Sequence, residues 1–279
     1  MEKRVSQWAL VTGASSGLGA ALAADLAGRR INLVLAARRE QPMQQLAARL
    51  REAHGVDVQV VAIDLARPGS ARALQARLDE RGIAVDILIN NAAFGLSGAF
   101  LDQDEARLNE MIRLDVTTVT ELAQVFGQRM AARRRGYMLL VASMAAYQPT
   151  PMLAVYGAAK AYVLSLGVSL HAELGGRDVS VTVLSPGLMD TGFAAAAQYR
   201  APKSAQRAML APADVARIGL DAMFAARSSV IAGRLNNISA FLTRFMSRRL
   251  QARLVLKMAV SSSHDDTFHS PGFIFREVC

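Results

Sequence analysis

The chain has 279 residues, 52% of them hydrophobic, and a formal net charge of +9. That length and apolar content suffice for one large α/β domain and exclude a disordered chain. The single cysteine, Cys279, excludes a disulfide framework and fits a reducing cytoplasm as the expected location.

The opening residues, MEKRVSQWALVTG, lack the long apolar core and small-residue cleavage site of a signal peptide. No charge-free apolar run is long enough to span a bilayer. The basic excess admits nucleic acid, an anionic membrane surface, a phosphorylated ligand or a plain solvated arginine-rich surface. Cations are spread over many helices and no nucleic-acid reader motif occurs, so no nucleic-acid partner is expected.

Trp8 to Val11 is a short apolar strand. It runs into Thr12-Gly13-Ala14-Ser15-Ser16-Gly17-Leu18-Gly19, and Ala20 to Gly28 reads as a helix. A strand, a glycine-rich turn and a helix N-terminus form a phosphate cradle, because backbone can approach the ligand and unpaired N–H groups face it. The G-x-x-x-G-x-G spacing differs from the commoner G-x-G-x-x-G, and no G-K-[ST] ending marks a P-loop. Ile31 to Ala36 is the second strand and ends in Ala37-Arg38-Arg39. An acid there would suit a ribose 2′-hydroxyl, whereas arginine suits a 2′-phosphate. The two arginines therefore point to NADP, the bland reading being a solvated loop.

Pro42 to His54 has helical spacing, and Val56 to Ile63 is a third strand leading to Asp64-Leu65. Asp64 could accept from an adenine amino group or cap a helix over Arg67 to Arg81. Val85 to Ile89 is the fourth strand and opens into Asn90-Asn91-Ala92-Ala93-Phe94-Gly95, a small-residue loop suited to lie against a ligand. Asp104 to Arg134 is helical, with core positions such as Met111, Leu122, Phe126 and Met130. Asp115 interrupts that apolar spacing, and a buried carboxylate needs a partner, so it is functional or a paired structural group.

Tyr137 to Ala142 is strand five and carries Ser143 at its end; a helix over Leu153 to Leu174 carries Tyr156 and Lys160. Four residues apart on a helix, the phenol and the ammonium share a face. A free phenol titrates near ~10. A nearby ammonium lowers that value, toward the range of a working acid or base. Val179 to Ser185 is strand six, followed by Pro186-Gly187. Residues 188–210 read as a lid over the site. Pro212 to Ala226 is a helix, and Ser229 to Ala232 a seventh strand.

Leu235 to Met258 reads as one amphipathic, strongly basic helix. It suits packing on its own domain, a subunit contact, or peripheral contact with an anionic membrane. Residues 261–279 form a tail. Alternation of strands and helices throughout implies one doubly wound domain over residues 1–260 with a parallel sheet.

The chain resembles the short-chain dehydrogenase/reductases over roughly residues 5–235. TGASSGLG at 12–19, DL at 64–65, NNAA at 90–93, Ser143, YGAAK at 156–160 and PG at 186–187 occur in that family's order. The resemblance implies a Rossmann-type sheet of about seven strands ordered 3-2-1-4-5-6-7, NADP(H), and reversible hydride transfer between an alcohol and a carbonyl. It implies Tyr156 as general acid and base, Lys160 as the group that lowers its pKa and binds the nicotinamide ribose, and Ser143 as a hydrogen-bond partner of the substrate oxygen.

The same resemblance gives Gly13, Ser16, Gly17, Leu18 and Gly19 to the pyrophosphate turn, and Ser15 with Arg38, assisted by Arg39, to the 2′-phosphate. It gives Asp64 and Leu65 to the adenine, Asn91 and Ala92 to the adenosine ribose, and Pro186, Gly187 and Thr191 to the nicotinamide. Where the family commonly has asparagine on the long helix, this chain has Asp115, which could pair with Lys160 and weaken its pull on Tyr156. The apolar borders Met144, Tyr147, Met152, Leu153, Phe193 and Met209 imply a lipophilic ketone or a 3-oxoacyl compound. The rival reading is a dinucleotide-responsive binding protein on the same fold. A homodimer or homotetramer is expected from the resemblance, and no metal site.

Overall fold

A computed structural model describes residues 7–189 and 209–261. Thr191, Phe193, nearly all of the expected lid, and the tail from 262 onward lie outside the described residues. Seven strands form one parallel sheet: β1 (Trp8–Thr12), β2 (Asn32–Ala37), β3 (Val58–Ala62), β4 (Val85–Asn90), β5 (Gly136–Val141), β6 (Val179–Ser185) and β7 (Ser229–Ile231). Their order is β3-β2-β1-β4-β5-β6-β7, as the sequence implies. Both faces of the sheet are covered, so β2 and β4 are buried at every position and read as continuous apolar runs.

On one face pack α1 (Gly17–Gly28), α2 (Glu40–His54) and α7 (Pro212–Phe224), through Leu22, Leu26, Met43 and Leu220. On the other pack α3 (Ser70–Glu80), α5 (Val119–Ala132) and α6 (Ala154–Gly175), through Leu74, Leu122, Phe126 and Val163. The order in which strands are added reverses between β1 and β4, which lie parallel with Val11 paired to Ile89. The crevice beyond the carboxyl ends of these two strands is the usual ligand position in a doubly wound sheet.

Three elements differ from their expected form. The helix expected from Arg67 begins at Ser70, with Gly69 in the left-handed region as its cap. Asp64 instead accepts from the Ala66 amide at 3.1 Å, closing a local turn, so it does not cap that helix. The long helical region is α4 (Glu105–Ile112) and α5 joined by a π-helical turn, Arg113–Thr118, that buries Asp115 and Thr118.

The basic helix expected over Leu235 to Met258 is two helices, α8 (Arg234–Leu242) and α9 (Arg248–Ser261). A 3₁₀ turn, Thr243–Phe245, and an extended Met246 separate them. Ser247 accepts from the Leu250 amide at 3.3 Å, and the Gln251 amide donates to the Thr243 and Met246 carbonyls at 2.6 and 2.8 Å. Those bonds satisfy backbone groups that an unbroken helix would have paired internally.

Candidate active site

The phosphate turn is built by contact between β1 and β4. Gly13 has φ +68°, and a Cβ there would lie 2.8 Å from Asn91 Nδ2 and 2.9 Å from Ala92 Cα. A Cβ on Gly19 would run into the Gly13 carbonyl. Side chains at either position would push the two loops apart, so the spacing of these glycines is a packing requirement. Gly17 opens α1 and Leu18 anchors it in the core. Ser16 precedes the helix with extended backbone and makes no side-chain cap, which leaves the first-turn amides of α1 to a ligand.

Thr12, which the sequence reading did not single out, joins the turn to the neighbouring loop. Its buried hydroxyl donates to the Ile89 carbonyl at 3.2 Å and accepts from the amides of Asn91 and Ala92 at 2.9 and 3.0 Å. The Asn91 side chain donates to the Thr12 carbonyl at 2.9 Å. A threonine as the last residue of a strand before the first glycine was the available signal, and only the neighbouring strand gives it meaning.

Arg39 and Arg38 diverge. The Arg39 guanidinium donates to Ser15 Oγ at 3.1 Å and Ser16 Oγ at 2.9 Å, so it lies over the phosphate turn. Arg38 points to Glu110 on α4, 3.3 Å away. Sequence gave Arg38 the leading role; the structure places Arg39 closer to Ser15. Asp64, partly exposed, pairs with Arg67 at 3.4 Å. Leu65 is buried, and its carbonyl accepts from Thr118 Oγ1 at 2.7 Å and from Ser70 Oγ at 2.9 Å, which fixes the end of β3 against the π-helical turn.

Ser143, Tyr156 and Lys160 come together at the carboxyl ends of β5 and β6. Tyr156 and Lys160 are both buried on the sheet-facing side of α6. Ser143 is hydrogen-bonded to the Tyr156 phenol. The Lys160 ammonium lies 5.5 Å from the centre of the Tyr156 ring and donates to the Val141 carbonyl at 3.3 Å. Pro186 and Gly187 close this corner: the Pro186 carbonyl accepts from the Met144 amide at 2.9 Å.

Asp115 enters the same corner from the π-helical turn. Its Oδ2 lies 3.2 Å from Lys160 Nζ, with the two side chains 0% and 3% exposed. Its Oδ1 accepts from the Phe94 amide at 3.2 Å, tying it to the loop after β4. Irregular turns of this type recur at functional sites.

Burial pushes the Asp115 carboxyl above the usual carboxylate range, against the pull of Lys160 and the Phe94 amide. Burial works against the Lys160 charge too, but Asp115 and Tyr156 outweigh it and hold the ammonium above its ordinary value. The Tyr156 phenol stands above its ordinary value: burial raises it, Lys160 and Ser143 oppose that, and Asp115 adds to the rise. The corner thus holds a protonated phenol that can donate to an oxygen, with a cation behind it.

A phosphate cradle at the strand crossover and a Ser-Tyr-Lys cluster facing the same crevice define a Rossmann-type oxidoreductase. Residues 7–201 match the family model described as short chain dehydrogenase, and the chain belongs to that family. It is similar to the mouse 17-beta-hydroxysteroid dehydrogenase type 3, 27% identical over 85% of this chain and 77% of that one. It is similar also to the very-long-chain 3-oxoacyl-CoA reductase of Podospora anserina, 32% identical over 67% of this chain and 56% of that one. Across three of its curated relatives the chain spans only 61%, 56% and 62% of their length. Among solved structures, a short-chain dehydrogenase from Sphingobium yanoikuyae in complex with NADPH superposes with a TM-score of 0.77, at 28% identity, over 96% of this chain and 98% of that one.

Proposed function

We propose that the protein reduces a lipophilic ketone or 3-oxoacyl compound to the secondary alcohol with NADPH. The observation that carries this reading is the trio itself: Ser143 hydrogen-bonded to the buried Tyr156 phenol, with the buried Lys160 against the same ring. The residues of the cradle fit a dinucleotide, because Gly13 and Gly19 leave no room for a Cβ while the first-turn amides of α1 lack a side-chain cap. Arg39 over Ser15 and Ser16, with no acid at the end of β2, supports the 2′-phosphorylated form. The NADPH complex of the Sphingobium relative supports it too.

When bound, the nicotinamide supplies a hydride to the carbonyl carbon. Tyr156 gives its phenolic proton to the carbonyl oxygen, and Ser143 donates a hydrogen bond to that oxygen as charge builds there. Lys160 stabilises the phenolate left behind. Asp115 competes for the Lys160 charge and keeps the phenol protonated to higher pH, which favours reduction over oxidation. Met144, Tyr147, Met152 and Leu153 give the substrate side an apolar border. The names of two relatives, a hydroxysteroid dehydrogenase and a 3-oxoacyl-CoA reductase, agree with bulky apolar carbonyl substrates.

NADPH oxidation followed by absorbance across a panel of ketones and 3-oxoacyl thioesters tests the reading. Tyr156→Phe should cut turnover by about 10²–10⁴-fold and leave NADPH binding intact. A variant that turns over like the unaltered protein would overturn the assignment, and binding without turnover across the panel would favour a dinucleotide-responsive binding protein.

A further inference from the structure

The two C-terminal helices leave an apolar surface open and surround it with cations. Among their described side chains only Ala240 and Gln251 are buried. Leu235, Ile238, Phe241 and Leu242 on α8 are exposed, Leu235 at 66%. Phe245 in the intervening turn is 74% exposed and stacks edge-on with Phe241 at 5.2 Å. On α9 Leu250 and Leu254 are exposed as well.

Charge follows the same pattern. From Ala222 to Ser263 the sequence contains no aspartate or glutamate. Arg234, Arg244, Arg248, Arg249, Arg253 and Lys257 are all exposed. Arg249, Arg253 and Lys257 recur every four residues, one position ahead of Leu250, Leu254 and Met258. One position is about 100° around a helix, so a cationic stripe runs beside an apolar one. Five exposed arginines in a stretch of sequence without aspartate or glutamate favour an anionic partner over a surface of mixed charge. A bilayer that offers hydrocarbon under a sheet of anionic headgroups meets both stripes at once.

We propose that α8 and α9 form a peripheral docking surface for an anionic phospholipid bilayer. Phe241, Phe245 and Leu250 enter the acyl boundary, and Arg249, Arg253 and Lys257 lie among the headgroups. No helix among the described residues is long and apolar enough to cross a membrane, so the contact is interfacial. The proposal stands whether or not the proposed reaction does.

Co-sedimentation of the full chain with vesicles tests this. The protein should pellet with vesicles of mixed phosphatidylglycerol and phosphatidylcholine, stay in solution with phosphatidylcholine alone, and be released by high salt. Arg249→Gln/Arg253→Gln/Lys257→Gln should lower partitioning on the order of 100-fold. Phe241→Ser/Phe245→Ser should lower it with the salt dependence kept. Unchanged thermal midpoints would show both variants folded; should either one unfold, the lipid and salt dependence of the unaltered chain still decides. No pelleting with the anionic vesicles at low salt overturns the proposal, as does equal pelleting with phosphatidylcholine alone. A dimer that Phe241→Ser/Phe245→Ser converts to monomer, in a protein that ignores vesicles, would assign the surface to a second copy of this chain instead.

Discussion

The Asp115 carboxylate lies 3.2 Å from the Lys160 ammonium, and neither side chain reaches solvent. A buried ion pair rarely stabilises a fold relative to apolar residues of the same volume, because desolvation offsets the attraction. Its value here is in how it divides the Lys160 charge between the Asp115 carboxylate and the Tyr156 phenol.

Asp115→Asn should therefore move the pH dependence of catalysis. With the anion gone, Lys160 acts on Tyr156 alone, and the phenol loses one of the influences that raise it. Reduction needs the phenol protonated, so the fall in reduction rate at high pH should begin at lower pH than in the unaltered protein. Oxidation needs phenolate, so its rise should also begin at lower pH. Full pH–rate profiles in both directions check this, and superimposable profiles would show that Asp115 has no part in tuning the phenol.

Lys160→Met should destabilise by about 3–5 kcal/mol near neutral pH, since it leaves a buried carboxylate without its cation. Burial already pushes the Asp115 carboxyl above its unfolded value. A group with a raised folded pKa binds more protons folded than unfolded, so stability is lost as pH rises through that value and recovered below it. The variant should regain stability as the pH is lowered from neutrality into the mildly acidic range. Denaturant midpoints across that range measure it, and a loss that ignores pH would mean the carboxylate is not the source.

Arg39→Ala should weaken NADPH more than Arg38→Ala does, because Arg39 lies over Ser15 and Ser16 whereas Arg38 is turned to Glu110. A charge-assisted hydrogen bond contributes about 1.5–3 kcal/mol, or roughly 10–100-fold in affinity. NADH, which lacks the 2′-phosphate, should change little. Titration of both cofactors against both variants distinguishes the two arginines, and equal losses for NADH and NADPH would place neither at the 2′-phosphate.

Thr12→Val should cost about 1–3 kcal/mol by leaving the part-buried amides of Asn91 and Ala92 without their acceptor. Loosening those loops should also weaken dinucleotide binding. Thermal unfolding and cofactor titration together read both effects; a stable variant with reduced affinity would mean that water takes over the hydroxyl's place.

The sequence by itself determined the sheet and most of the site. Apolar strands alternating with periodic helices made one doubly wound parallel sheet legible, and the order of its seven strands followed from the family resemblance of the motifs. The glycine spacing and the one-turn separation of Tyr156 and Lys160 were legible because each is a local geometric requirement. The break in the basic helix left only a weak trace, Ser247 as a cap, because helical periodicity runs through it unchanged.

Tertiary structure alone decided which of two adjacent arginines faces the phosphate turn, since β2 ends where either side chain can swing. It alone gave Thr12 its three partners, which come from β4 and the loop after it, more than seventy residues away. It also decided Asp115. A carboxylate among apolar neighbours announces that a partner exists, but only the π-helical turn, packed against α6, brings it to Lys160.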